Sequence, residues 1–408
     1  MNSGSRQSLH RFDFKTSTPI VQLVDEVIDR AGKCNASDIH IDPRADDVRI
    51  RFRIDGVLHD VCAMSRSLHG EFVARIKIMS GLRIDERIVP QDGRLTVGEV
   101  MDVRVTVIAS YYGESIIMRL LRRTKSVQTL LELGFNHDAE QAIDKVLHAR
   151  QGLVLVTGPT GSGKTTTLYS LLALVDDPCL STVTIEDPVE YAMSHARQIQ
   201  VQQKRGINFA NGLRSILRQD PDVIMVGEIR DHETAAIATS AALTGHLVLS
   251  TLHTNDALST VVRCIEMGIE PYLVAATLRL VISQRLVRKL CRDCLKPVQI
   301  SQIELAMIQK YDAENIHQTL TTQPTDDTRP LAYAARGCEK CNGTGYAGRT
   351  VVSEILPITE KIRDMIIDKK PMHSHSLLLG AETIRHQAVS KYLDGLTSFD
   401  ELIKILPD

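Results

Sequence analysis

Residues 157–167 read Thr-Gly-Pro-Thr-Gly-Ser-Gly-Lys-Thr-Thr-Thr, and within them Gly158-x-x-x-x-Gly163-Lys164-Thr165 is a complete phosphate-binding loop of the Walker A type. The candidate nucleotide cradle is Gly158, Pro159, Thr160, Gly161, Ser162, Gly163, Lys164, Thr165 and Thr166. Its glycines let the backbone curl with N–H groups turned inward toward phosphate oxygens, and the N-terminus of a following helix adds partial positive charge. Lys164 supplies a full charge, and Thr165 is placed to hold Mg²⁺. The ligand this chemistry suits is ATP with its magnesium ion.

Three further segments end apolar runs in polar groups. Thr184-Ile-Glu-Asp-Pro-Val-Glu190 puts three carboxylates directly after an apolar run, at the end of a strand where open α/β sheets bind ligands, and Glu190 is one that could activate or orient water. Pro221-Asp-Val-Ile-Met-Val-Gly-Glu-Ile-Arg-Asp231 has the form of a Walker B segment, with Gly227 where an aspartate is usual. That leaves Glu228 to serve Mg²⁺ through water or to polarise the attacking water itself. In Thr244-Gly-His-Leu-Val-Leu-Ser-Thr-Leu-His-Thr-Asn255, His253 either senses a γ-phosphate or is structural. A separate cluster consists of Cys291-Arg-Asp-Cys294 and Cys338-Glu-Lys-Cys341, two pairs with 43 residues between them. Four thiolates are the tetrahedral set that a structural Zn²⁺ prefers, with no open position for catalysis; a redox pair is the alternative. Gly337 before the second pair, and Gly343 and Gly345 after it, suit the tight turns of a zinc knuckle.

These residues need elements to position them. Gly152 to Val156 is a short apolar run suited to a buried parallel strand, and Thr166 to Val175 reads as a helix, so the phosphate loop sits between strand and helix. Strand-like runs at 152–157, 181–185, 222–226 and 246–251 alternate with helical ones, which predicts a parallel sheet of the α/β class. Upstream, a helix is expected over 19–34, strands at 37–41, 48–54 and 57–61 with Asp55-Gly56 as the turn, a helix over 70–80, and a second hairpin through 102–107 and 114–120. Arg49, Arg51 and Arg53 give the first hairpin a basic face, either solvated or an interface. The segment 319–330 is polar and proline-containing and is expected to be a mobile loop; helical spacing returns over 358–406.

Composition narrows the classes. At 408 residues two or three domains are expected. Lys and Arg total 48 against 50 Asp and Glu, a net charge of −2 that gives no global attraction to nucleic acid. No apolar run approaches a membrane span and the N-terminus has no apolar signal core, which predicts a soluble chain. Cys34, Cys62, Cys179 and Cys264 read as small buried hydrophobes.

The Walker A loop, Glu186-Asp-Pro-Val-Glu190, Leu217 to Asp231 and Thr244 to Asn255, with Ser37-Asp-Ile-His-Ile41 and Arg53-Ile-Asp-Gly-Val-Leu58 upstream, resemble the GspE/PilB-type secretion and pilus-assembly ATPases over roughly residues 19–408. The resemblance implies a RecA-like P-loop core over 139–284, preceded by a flexible segment 1–18, a small α+β, PAS-like domain over 19–121 and a linker at 122–138. A tetracysteine zinc subdomain over 285–352 and a helical region over 353–408 follow. It also implies that Arg104 and Arg119 approach the phosphates from the small domain, and that Arg214 and Arg218 face a nucleotide site at a subunit boundary. An arginine reaching a transferring phosphoryl group is worth about 10³–10⁵ in rate. The expected assembly is a homo-oligomer, a hexamer, cytoplasmic and peripheral at the inner membrane through a platform protein, with no direct nucleic-acid partner. Only about 18 residues precede the first helix, so docking through the further N-terminal domain of that family is not expected. A DNA translocase on the same core and a zinc scaffold without turnover are the rival readings.

Overall fold

The computed structural model describes residues 18–98, 101–122, 127–311, 331–370 and 382–406. Residues 1–17, the polar loop 319–330 and part of the linker at 122–138 lie outside them. The chain divides into two compact units: Met1–Lys125 with Arg288–Pro297 and Tyr333–Gly348, and Ser126–Val287 with Val298–Ala332 and Arg349–Asp408. The segment 285–352 is therefore shared between the two.

In the first unit, helix α1 (Ile20–Lys33) buries Leu23, Val24, Val27 and Ile28, the three- and four-residue spacing of one helix face. Strands β1 (Asp38–Pro43), β2 (Asp47–Ile54), β3 (Val57–Ser65), β4 (Gln91–Val97), β5 (Met101–Ser110) and β6 (Gly113–Arg122) form an antiparallel sheet in the order β3-β2-β1-β6-β5-β4. Helix α2 (His69–Met79) and α1 share one core with Ile39, Ile50, Phe52, Val105 and Met118, while alternate residues face outward. Asp55 and Gly56 both have positive φ, +48° and +85°, the conformation an Asp-Gly hairpin turn requires. The basic face is not bare: Arg51 bonds Asp42 at 2.7 Å, Arg49 bonds Asp60 at 3.2 Å, and Arg53 lies 3.5 Å from Asp38. Asp60 of the hairpin itself and Asp38 and Asp42 of β1 neutralise it, and the β1 pair is what the hairpin read alone could not reveal.

The second unit opens with α3 (Leu130–Leu133), α4 (His137–His148), β7 (Gly152–Thr157), α5 (Lys164–Leu174), β8 (Thr182–Glu186) and β9 (Ala196–Gln200). It continues with α6 (Phe209–Ile216), β10 (Val223–Val226), α7 (His232–Leu243), β11 (Leu247–Leu252), α8 (Ala257–Glu266), α9 (Pro271–Thr277) and β12 (Leu278–Leu290). The remaining elements are β13 (Lys296–Gln299), α10 (Gln302–Tyr311), β14 (Leu331–Ala334), β15 (Tyr346–Pro357), α11 (Glu360–Ile367), α12 (Ile384–Leu393) and α13 (Phe399–Leu402). The large sheet runs β15-β12-β7-β11-β10-β8-β9, and every pairing from β12 to β9 is parallel. Parallel strands need crossovers, and the helices that make them cover both faces, so β7, β8, β10 and β11 are buried at every residue. The alternation is strict: Leu153 and Leu155 join the core under α6 to α9, whereas Val154 and Val156 join the core under α3 to α5.

Strands β4, β9 and β12 to β15 were not expected. In β12, Arg285, Arg288 and Lys289 interrupt the apolar run that signals a buried strand. Two of the isolated cysteines are also not buried: Cys34 is half-buried at the end of α1, and Cys179 is exposed in a turn where its N–H donates to Asp177 Oδ1 at 2.9 Å. No described helix is long and apolar enough to cross a membrane.

Candidate active site

The phosphate loop leaves the end of β7 and enters α5 through three glycines of positive φ: Gly158 at +142°, Gly161 at +79° and Gly163 at +89°. A Cβ on Gly158 would stand 2.3 Å from the carbonyl oxygen of Gln284 and 2.6 Å from Ser162 Oγ, so the turn is closed to every other residue. No side chain caps α5; its first turn begins at Gly163 with backbone N–H groups directed along the helix axis. Beneath the loop, the fully buried Gln284 of β12 donates from Nε2 to the Ser162 carbonyl at 2.9 Å and accepts from Thr167 Oγ1 at 2.9 Å. Both ends of its amide are thereby used to brace loop against helix.

Three more strand ends converge on this loop. The Lys164 ammonium donates to the carbonyls of Gly158 and Pro159 at 2.8 and 3.1 Å, and lies 3.5 Å from His253 Nδ1, just past β11. His253 Nε2 is 3.7 Å from Glu228, just past β10, and Glu228 is held at 2.5 Å by Arg230. Burial pushes the Lys164 pKa below the usual lysine range, with Glu228 pulling the other way. Desolvation and the Lys164 charge together hold His253 below its ordinary value against the pull of Glu228, so the imidazole is neutral at pH 7. After β8, Glu186, Asp187 and Glu190 complete a cavity of about 410 Å³ that is also lined by Thr165, Glu228, His253, Phe209, Leu286 and Arg349.

The cradle fits a polyphosphate and its magnesium ion. Ser162 Oγ is buried with no hydrogen-bond partner among the described residues, and Thr165, Glu190 and Glu228 all line the cavity. Of the residues expected from sequence, the structure groups Lys164, Thr165, Glu190, Glu228 and His253 around one cavity. Arg214 and Arg218 are exposed at the end of α6, Arg214 paired with Glu233 at 2.6 Å, and neither lines it. Arg104 and Arg119 are direct cross-strand partners on β5 and β6 of the first unit, with Arg94 opposite Arg104; Arg119 pairs with the buried Asp38 at 3.0 Å. Phe209, Leu286, Arg349 and Gln284 were not foreseen. Arg349 follows Gly348 in a turn-like Ala-Gly-Arg, and nothing in its neighbours announces a phosphate.

The four paired cysteines come together in the first unit. Their sulfur atoms all lie within 4.8 Å of one another, with Cys291–Cys338 at 3.9 Å, Cys294–Cys341 at 3.8 Å and Cys338–Cys341 at 3.7 Å. A disulfide would need about 2.05 Å. A tetrahedral ion with metal–sulfur bonds of about 2.3 Å needs an edge of about 3.8 Å, so the cluster has the dimensions of a metal centre. Burial pushes the Cys294 thiol up to about 12. At Cys341 burial raises the value, but the N–H groups of Cys338 and Gly345, at 3.1 and 3.2 Å from Sγ, bring it down to about 7. Gly337, Gly343 and Gly345 all have positive φ, as the turn around these sulfurs demands.

The model of the family described as Type II/IV secretion system protein matches residues 13–404. The chain belongs to this family. It is 42% identical over 392 residues to a type IV pilus assembly ATPase PilB of Myxococcus xanthus, covering 94% of this chain and 67% of that one. It is 43% identical over 398 residues to a type II secretion system protein E of Dickeya dadantii, covering 96% and 77% respectively. Among solved structures, the pilus retraction motor PilT with bound ADP superposes with a TM-score of 0.60 at 26% identity, covering 94% of this chain and 96% of that one. This type II/IV secretion family member is accordingly an ATPase with a parallel α/β core.

Proposed function

We propose that this secretion-family ATPase hydrolyses MgATP to drive assembly of pilin or pseudopilin fibres. It would do so as a cytoplasmic homohexamer peripheral to the inner membrane, docked on a membrane platform protein. The observation that carries the reading is the convergence of Lys164, Thr165, Glu228, Glu190 and His253 on one cavity at the ends of adjacent parallel strands. Lys164 neutralises the β- and γ-phosphates, the loop N–H groups hold their oxygens, and the Thr165 hydroxyl with Glu228 holds the magnesium site. When bound, the ion neutralises charge on the phosphate oxygens. Glu190 and Glu228 orient the attacking water, and neutral His253, with Nδ1 toward the Lys164 ammonium and Nε2 toward Glu228, has one N–H, which keeps Glu228 in place until a γ-phosphate takes it as donor. Arg104 and Arg119 from a PAS-like small domain, and Arg214 and Arg218 from the RecA-like core, act on phosphates within the assembled ring. The four cysteines hold a structural Zn²⁺, which releases on the order of 10–16 kcal/mol on binding and so folds a segment with little apolar surface of its own.

Lys164→Ala tests the site. Phosphate release by the purified protein with MgATP should fall about a hundredfold or more, because one charge-stabilising group at a transferring phosphoryl carries several kcal/mol. Hydrolysis at the parental rate in that variant sinks the assignment.

A further inference from the structure

Tyr169 lies five residues beyond Lys164 on α5, fully buried, and takes no part in the chemistry above. Its hydroxyl donates to Glu186 Oε2. The same oxygen accepts the backbone N–H of Glu190 and of Tyr191, each at 3.3 Å. Gln198 Nε2 also approaches this oxygen, at 3.5 Å, so the hydroxyl donates once and gathers three N–H groups around it. On its other oxygen Glu186 accepts from Thr184 Oγ1 at 2.5 Å and from Gln198 Nε2 at 3.1 Å. Desolvation, together with the Glu186 carboxylate, pushes the Tyr169 phenol well above its usual range, so it stays a donor at every physiological pH. The rings of Tyr169 and Tyr191 meet edge to face at 4.9 Å.

We propose that Tyr169 is a positioning residue: its hydroxyl pins the segment Glu186 to Tyr191 to the phosphate-loop helix and so sets where the Glu190 carboxylate stands relative to Lys164 and Thr165. Helix α5 is the direct continuation of the phosphate loop, so a group tied to it keeps its distance from the phosphates when other parts move. The segment it holds leaves β8 with no hydrogen-bonded ladder of its own until β9 begins at Ala196. Glu186, with three donors on its carboxylate, is the buried anchor of this knot, and Glu190 is the end that reaches the cavity. A displacement of about 1 Å at a reacting group costs up to about a hundredfold in rate.

The inference rests on the ATPase reading, and the test separates the two. Wild type, Lys164→Ala, Tyr169→Phe and the double variant Tyr169→Phe/Glu186→Gln are assayed together for kcat and KM with MgATP, each first checked for a cooperative melting curve. Tyr169→Phe keeps the ring contact and removes only the hydroxyl. Its kcat should fall about 10- to 100-fold with KM within about twofold. The double variant no longer buries a carboxylate oxygen that has lost its donor, yet the Glu190 and Tyr191 N–H groups still lack their acceptor, so its kcat should stay low. Parental kcat in Tyr169→Phe, a change confined to KM, or recovery in the double variant overturns the positioning role. If Tyr169→Phe fails to fold, the double variant decides by the same criteria. Absence of Lys164-dependent hydrolysis in wild type rejects the ATPase reading, and the Tyr169 role with it.

Discussion

A methyl group at position 158 has nowhere to go: it would press on the Gln284 carbonyl and on Ser162 Oγ from a backbone at φ +142°. Gly158→Ala should therefore weaken nucleotide binding by about tenfold or more, because strain of roughly 1–3 kcal/mol at such a φ is one to two decades in affinity. Titration with a fluorescent ATP analogue measures it, and unaltered affinity would show that the loop can relax. This residue was legible in the sequence because its chemistry is local: the glycine spacing, the lysine and the threonine all lie within eight positions. Gln284 was not, although it braces the same loop, because it meets Thr167 from 117 positions away. Tyr169 was hidden differently. On an apolar helix a tyrosine reads as core, and only the fold reveals the polar segment folded over its hydroxyl.

At the level of elements, the sequence announced those strands whose burial is uniform or strictly alternating, and concealed those of mixed character. Strands β7, β8, β10 and β11 are apolar runs ending in polar residues, and the first hairpin alternates around its Asp-Gly turn. Strand β12 carries arginines and a lysine in its second half, and the edge strand β9 is never fully buried, so neither has a clean period. The cysteine pairs were recognisable despite a separation of 43 residues, since each pair is local and only the turn glycines had to agree. Their closure into one cluster gives a prediction at this scale. Cys341→Ser removes the sulfur that collects two N–H donors, and metal content by elemental analysis should drop from about one ion per chain to well under half. A full equivalent of metal retained in that variant would place the ion elsewhere.

On the scale of a whole folded unit, protonation sets a limit on stability. His40, His59 and His69 of the first unit are all half-buried, and burial holds each below the ordinary histidine value. Around them stand Arg53, Arg51, Asp42 and Asp38 at His40, Arg288 and Asp55 at His59, and Arg66 and Glu114 at His69. Unfolded, these imidazoles take up protons near pH 6.5; folded, they resist, so the unfolded state binds more protons as pH falls through that value. The Tm should be level above about pH 7 and decline by a few degrees toward pH 5.5, and replacing the three histidines by glutamine should flatten the decline. An unchanged slope in the triple variant would assign the acid sensitivity to other groups. A different restriction follows from the central strand β7, whose residues feed two cores in turn, Leu153 and Leu155 one, Val154 and Val156 the other. Inserting a single amino acid there would exchange the two sets of side chains between the layers. Inserting two would restore each to its own side yet carry the phosphate loop about 6–7 Å out of reach of Glu228 and His253. The length of that strand is thus a ruler for the reaction, and gene variants that add or delete codons within 152–157 should be absent among working copies of this enzyme.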